Sequence, residues 1–142
     1  MSNWSKLQKE LYKLIDSRID FQIHCVAYRM KSQHGNTSLP RYFITFQNDI
    51  IFDYPKQFTK QASDQPAYPY ENDITLISET IREYVDTPLE HLLDKNFQND
   101  KWHLTEILKA ADRRIGQRRL DELLLKTTNE NARKIIELRK SL

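Results

Sequence analysis

The chain has 142 residues, of which 39% are hydrophobic and 30% are charged, and its net charge is +2. This composition predicts one soluble globular domain, because the chain is long enough to bury a core and too rich in aromatic residues to be disordered. Its apolar stretches are too short to span a membrane, and its single cysteine excludes an intrachain disulfide. Lysines interrupt the first 14 residues, so we expect no secretory leader and predict a cytoplasmic location.

The charged residues are segregated along the chain. Residues 1–60 carry nine basic and five acidic side chains, and residues 101–142 carry eleven basic and six acidic ones. Residues 61–100 between them carry two basic and nine acidic side chains. We expect the acidic middle to pair with the basic ends inside the molecule. The alternative is a basic face that meets an acidic partner or a nucleic acid.

The first third of the chain has the pattern of a helix followed by a β-meander. Apolar residues at helical spacing predict a helix that begins near Trp4. Alternating apolar residues, or β-branched and aromatic ones, predict three strands at 21–30, 41–47 and 50–54. A polar loop over 31–38, closed by Pro40, is expected between the first two strands. A two-residue turn at Asn48-Asp49 is expected between the last two.

The rest of the chain is predicted to be helical after a long connection. Residues 55–72 contain several prolines and tyrosines without a clear period, so they either pack as an ordered irregular segment or move. A helix follows from Ile74. The run Thr87-Pro88-Leu89-Glu90 predicts a capping box that begins a second, short helix. A final helix is predicted to be capped near Asn129.

One of the two glycines, Gly116, marks a predicted turn between two helices. The apolar residues before it share one helical face, and those after it share another that is rotated by roughly 160°. No single helix buries both faces against one core. We therefore predict that a helix ends there, with Gly116 at the C′ position, and that a new helix follows.

Four arginines surround this glycine and are the candidate binding residues: Arg113, Arg114, Arg118 and Arg119. The helical projection points Arg113 and Arg118 away from the apolar faces, so they are the best surface candidates. Asp112 is expected to pair with one of the arginines. Arginine suits planar, paired contacts with carboxylates or phosphates, which is why these residues are singled out.

No pattern of catalytic or ligand-binding residues accompanies them. The four histidines are scattered without the short spacing of a zinc site, and Cys25 fits a small core residue. Two glycines are too few for a phosphate loop or a dinucleotide fingerprint, and there is no nucleophile elbow. We therefore predict no catalytic residue, no metal site and no cofactor. A non-enzymatic role is favoured, and an active site assembled from distant residues stays open.

The elements together predict an α+β fold in a single domain over 1–142. Its N-terminal part, 1–54, holds the helix and a three-stranded antiparallel meander. The Pro/Tyr-rich connection spans 55–72, and the helical C-terminal half spans 73–142.

Three segments resemble a family of small, uncharacterised bacterial proteins that is catalogued after an enterobacterial hypothetical protein. They are Trp4-Ser5-Lys6-Leu7, the strand pair around 41–51, and the run from Asp112 to Leu120. The resemblance covers most of the chain outside the Pro/Tyr-rich connection. It implies a bacterial, cytoplasmic origin and supplies no activity.

The function favoured by the sequence is protein–protein contact without catalysis. A toxin gene beside this one would indicate an immunity-type role. The alternative is a nucleic-acid-binding protein that uses the Arg113–Arg119 turn and the basic C-terminal helix. No membrane partner is expected, and the sequence leaves the oligomeric state open.

Overall fold

A computed structural model describes residues 4–32, 35–54, 75–97, 100 and 103–142, with the backbone alone for 27–32, 35–40, 75 and 76. Within them lie six helices and three strands: α1 (Trp4–Tyr12), β1 (Phe21–Ser32), β2 (Gly35–Phe46), β3 (Asp49–Tyr54), α2 (Thr75–Asp86), α3 (Leu89–Leu92), α4 (Leu104–Ala111), α5 (Gln117–Lys126) and α6 (Glu130–Ser141). The α+β prediction is confirmed, with the elements in the expected order. The connection 55–72 and Trp102 lie outside the described residues.

The three strands form one antiparallel sheet in the order β1-β2-β3. The turn between β2 and β3 is at Gln47-Asn48, whose φ angles are 51° and 71°. The prediction of Asn48-Asp49 was therefore wrong by one residue, because Asp49 already pairs with Phe46 in the sheet. A two-residue hairpin of this kind needs positive φ at both positions, and asparagine adopts it more easily than most residues.

The polar loop predicted over 31–38 is mostly strand. β1 continues to Ser32 and β2 begins at Gly35, so the hairpin is longer than its hydrophobic pattern indicates. Pro40 lies inside β2 opposite Ala27. Every second residue of β1 turns its N–H group away from β2. Ile23 is one of these residues, and Ala27, four positions later, is another. In such a pair the nitrogen of Pro40 also faces away from β1, so the missing N–H removes no β1–β2 hydrogen bond.

Helix α1 covers the outer edge of β1 through two polar side chains. The Gln8 amide donates to the carbonyl of Ile23 at 2.8 Å. The Tyr12 hydroxyl accepts the N–H of Ile23 at 3.0 Å and donates to its carbonyl at 3.1 Å. An edge strand otherwise leaves such groups unpaired, so these contacts position the helix against the sheet.

The helical half packs its apolar faces as the spacing predicts. Helix α4 buries Leu104, Ile107, Leu108, Ala110 and Ala111, and α6 buries Ala132, Ile135 and Ile136 against it. Helix α5 buries only Leu120 and Leu123 and packs on α6. The amide of Asn131 donates to the carbonyl of Ile51 at 3.2 Å, which joins α6 to β3.

One of the two predicted side-chain caps is confirmed. The Asn129 side chain accepts the N–H of Ala132 at 3.0 Å and caps α6. The capping box at Thr87 was wrong, because its hydroxyl donates to the carbonyl of Glu83 at 2.7 Å instead. That bond satisfies a free carbonyl near the C-terminus of α2, and α3 begins at Leu89 without a side-chain cap.

The chain turns between α4 and α5 as predicted, but Gly116 has a different role. It is the N-cap of α5, with φ −84° and ψ 178°, which is extended backbone that any residue adopts. The prediction of a C′ glycine was therefore wrong. Helix α4 ends instead at Asp112, whose carboxylate accepts the N–H of Arg114 at 2.8 Å, so a left-handed glycine is not needed.

Candidate interaction surface

Two turns of the same sequence pattern lie side by side at the ends of α1 and α4. They are Asp16-Ser17-Arg18-Ile19 and Asp112-Arg113-Arg114-Ile115. The N–H of Asp16 donates to the carbonyl of Ala111 at 2.8 Å, and the N–H of Arg113 donates to the carbonyl of Leu14 at 2.6 Å. An antiparallel bridge between Ile15 and Asp112 completes the pairing.

In the first turn a buried carboxylate holds the guanidinium two residues later. Asp16 Oδ1 accepts the backbone N–H and the Nε of Arg18 at 2.9 and 3.0 Å, and Oδ2 accepts Nη2 at 2.7 Å. Arg139 of α6 donates to the same carboxylate from the other side. The bonds from Arg18, with smaller contributions from Arg139, hold the pKa of Asp16 well below its usual range despite burial.

Arg139 is more deeply buried than Asp16, with 2% of its surface exposed. Besides Asp16 it binds two carbonyl oxygens, those of Ala110 at 2.9 Å and Ile115 at 2.8 Å. One guanidinium thus ties α6 to the end of α1, the end of α4 and the end of the α4–α5 turn. A planar fork with several fixed donors is suited to such a junction.

The second turn repeats the geometry of the first around Asp112, which is fully buried. Asp112 Oδ1 accepts the backbone N–H of Arg114 at 2.8 Å, and Oδ2 accepts its Nη2 at 2.7 Å. Tyr84 of α2 donates to Oδ2 at 2.7 Å. Burial and the nearby carboxylate raise the pKa of Tyr84 well above its usual value. Arg114 Nη1 also donates to the carbonyl of Thr87 at 3.1 Å.

The structure separates the four candidate arginines into one internal and three external residues. Arg114 is the partner of Asp112 that the sequence predicted, and its guanidinium is occupied by internal contacts. Arg113, Arg118 and Arg119 are exposed. Among the described residues, none of these three side chains forms a hydrogen bond or an ion pair. We call these three residues the arginine surface.

Helix α5, which carries Arg118 and Arg119, presents a mixed outer face. Asp121 pairs with Lys140 of α6, and Glu122 pairs with Lys126 at 3.8 Å. Leu125 is 88% exposed in the last turn. This face therefore combines cations, carboxylates and one apolar side chain.

A groove of about 660 Å³ lies beside the second turn, at the junction of α2 and α3. Its lining residues are Glu83, Asp86, Thr87, Pro88, His91, Asp94 and Lys95. Glu83 and Lys95 pair at 3.1 Å across it. Among the residues that the structure describes, no three His, Cys, Asp or Glu side chains are grouped as metal ligands, here or elsewhere.

Sequence reasoning missed Asp16, Tyr84 and Arg139 as members of these contacts. The repeated Asp-X-Arg-Ile pattern was a usable signal for Asp16. No local pattern marks Tyr84 or Arg139, because their partners are distant along the chain.

A family model matches residues 3–79 and 72–140, which together cover nearly the whole chain. The chain belongs to the SF0329 protein family. No curated protein and no solved structure was found to match it. The SF0329 match includes the connection 55–72, which the resemblance left out. The specific motifs and the bacterial origin that the resemblance implies stay predictions. Over the described ranges, the helices are too short or too polar to cross a bilayer.

Proposed function

We propose that this protein acts without catalysis, by binding another protein through the arginine surface. The observation that carries the proposal is that Arg113, Arg118 and Arg119 are exposed and have no partner among the described residues. Arginine is enriched among the residues that contribute most to protein interfaces. Its charge favours a partner that presents carboxylates.

The backbone of Arg113 and Arg119 is held by hydrogen bonds, which favours specific binding by the arginine surface. Arg113 lies between Asp112 and Arg114, which bind one another, and its own N–H is bonded to Leu14. Arg119 lies in the first turn of α5, where its N–H bonds to Gly116 at 3.0 Å. Groups that are already ordered lose less conformational freedom on binding.

The composition of α5 favours a protein over a nucleic acid. Asp121 and Glu122 follow the arginines within one turn, so the helix presents no continuous track of cations to a phosphate backbone. The exposed Leu125 adds an apolar contact of the kind found in protein interfaces.

The nucleic-acid alternative also requires a basic C-terminal helix, and most cations of α6 are occupied. Arg139 is buried on Asp16, and Lys140 pairs with Asp121. Arg133 donates to the carbonyls of Leu124 and Thr127 near the end of α5. Lys134 is the remaining exposed cation of that helix.

The test compares two double variants with the same change in charge. Arg118→Glu with Arg119→Glu reverses two of the three residues of the arginine surface, and Lys6→Glu with Lys134→Glu reverses two exposed lysines elsewhere. We expect the tagged wild-type protein and the lysine variant to capture the same protein from the source cell, and the arginine variant to lose it. The cell is expected to be bacterial, and a captured toxin would identify an immunity-type role.

Fluorescence titration with single- and double-stranded oligonucleotides at 50 and 200 mM salt tests the alternative. A site that neutralises about four phosphates lowers log affinity against log salt with a slope of roughly −3 to −4. Tight binding with that slope, abolished by the arginine variant, would replace the protein-contact proposal with the nucleic-acid one. The lysine variant is no control in this titration, because Lys134 belongs to the basic helix of the alternative.

A further inference from the structure

The charge segregation of the sequence persists in the folded protein. Among the residues that the structure describes, and leaving Asp100 aside, none of the ion pairs joins a carboxylate of 61–100 to a cation of 1–60 or 101–142. The cations of the two basic ends pair instead with carboxylates of those same ends, as in Arg114 with Asp112. The expectation that the acidic middle neutralises the basic ends is therefore not met by these pairs. Acidic and basic surfaces are both left facing solvent.

The acidic surface is concentrated at the α2–α3 groove. The surface of the groove is mostly apolar and includes Pro88. The exposed carboxylates of Asp86 and Asp94 lie at its border. Asp86 has one contact, with Arg82 at 3.5 Å, which is long for an ion pair. Among the described residues Asp94 forms no ion pair, although Lys109 is near enough to interact with its charge. The groove is large enough to admit an arginine side chain, whose stem suits apolar walls and whose head suits a carboxylate border.

The groove is next to the turn that carries Arg113. Thr87 lines the groove, and its carbonyl accepts Arg114 Nη1 at 3.1 Å. The residue immediately before Arg114 is Arg113, exposed and without a described partner. An exposed cation without a described partner and a groove bordered by two exposed carboxylates, Asp86 and Asp94, are thus neighbours on the molecule.

We propose that the occupant of the groove is a second copy of this chain, related by a two-fold axis. In this dimer Arg113 of each copy enters the groove of the other and pairs with Asp86 and Asp94. Adjacent and opposite charges on one face become complementary to themselves after a two-fold rotation, and the assembly closes at two copies. This inference rests on the proposed function, because Arg113 belongs to the arginine surface. It names a second copy of the chain as one partner of that surface.

Sedimentation of the purified full chain tests the dimer. At protein concentrations raised to about 0.5 mM in 20 mM salt, we expect a dimer to form. In 500 mM salt its association should weaken, because the charges that hold it are exposed and are screened. Arg113→Glu alone, or Asp86→Lys with Asp94→Lys, should weaken association by about tenfold or more. Lys6→Glu with Lys134→Glu is the control and should leave it unchanged.

Mixing the two reversed proteins is the sharper measurement. In the mixed dimer, Arg113 of the groove variant meets an intact acidic groove, and Glu at position 113 of the other copy meets a basic one. Both contacts are restored, so the equimolar mixture should associate as tightly as the wild type although neither variant does so alone. Recovery in the mixture also shows that both variants are folded.

A wild-type protein that stays monomeric at 0.5 mM in low salt overturns the inference, and so does a dimer that both reversals leave intact. The proposed function is judged separately, by capture of another protein through Arg118 and Arg119. A monomeric chain that still captures its partner refutes only the dimer. A dimer without any captured protein refutes only the binding of another protein.

Discussion

Arg139 Nε donates a hydrogen bond of 2.9 Å to Asp16 Oδ2 and joins the last helix to the end of the first across 123 residues. Both side chains are buried, with Arg139 2% exposed and Asp16 5% exposed. A buried guanidinium needs all of its strong contacts, because the charge has lost its water. Asp16 and the carbonyls of Ala110 and Ile115 provide them.

Replacing Arg139 by Met should destabilise the protein by about 3 kcal/mol or more. The substitution keeps an apolar stem but leaves two buried carbonyls without donors and removes one partner of Asp16. Lys134→Met, at an exposed position of the same helix, should stay within about 0.5 kcal/mol of the wild type. Urea unfolding measures both, and equal midpoints for the two variants would contradict a structural role for Arg139.

The contacts of Asp16 predict a loss of stability in acid. Because its pKa is lower in the folded protein than in the unfolded chain, Asp16 contributes stability above about pH 4, and this contribution is lost as the pH falls toward the folded pKa. Asp16→Asn should be less stable than the wild type at pH 7 and should lose less further stability between pH 4 and 2. Urea midpoints across that range measure the difference. If the Asp16→Asn variant loses as much stability between pH 4 and 2 as the wild type does, Asp16 is not the cause of the acid sensitivity.

Tyr84→Phe should lower the free energy of unfolding by about 1.5–3 kcal/mol, the usual range for a hydrogen bond to a charged group. The substitution removes the 2.7 Å bond to Asp112, which no water replaces at a fully buried position. Ser141→Ala is the control, because its hydroxyl donates to the carbonyl of Leu138 at an exposed position where water substitutes for it. Thermal unfolding of the two variants measures the difference. A larger effect at Ser141 would contradict the assignment.

Gly116→Ser should stabilise the protein by about 0.5–1 kcal/mol. Gly116 is the N-cap of α5 in extended backbone, and a Cβ there meets no atom within 4 Å. A serine hydroxyl is then able to accept a free N–H of the first turn. Gly116→Ala adds no cap and should change stability by only a few tenths of a kcal/mol. Destabilisation by alanine of about 1 kcal/mol or more would restore the C′ role expected from the sequence.

Raising the salt concentration should leave the urea midpoint unchanged or increase it. Among the described ion pairs, Arg82 with Glu10 is the one that joins residues 61–100 to a basic end, and it uses a cation of the middle, so screening mainly removes repulsion within each block. The buried pairs of Asp16 and Asp112 are screened little. The measurement is made at about 1 µM protein, where association is negligible. A midpoint that falls with salt would indicate the pairing between blocks that the sequence predicted.

Local patterns predicted much of the fold correctly. Alternation located the three strands, and helical spacing located the buried faces of α4 and α6. The asparagine cap at Asn129 is a short-range signal, and it was predicted correctly for that reason. The errors at Thr87 and Gly116 arose where a side chain bonds backward, Thr87 to Glu83, or where a buried carboxylate replaces the expected glycine.

The sequence by itself determined that the arginines around Gly116 lie at a break between two helices and that Asp112 pairs with one of them. Only the tertiary structure decided which arginine is internal. Folding brings the carbonyl of Thr87 to Arg114 and the hydroxyl of Tyr84 to Asp112. The tertiary structure also decided the burial of Arg139, which in the sequence looks like any other basic residue of a surface helix. Its burial depends on a carboxylate 123 residues away, and no local periodicity encodes a contact of that range.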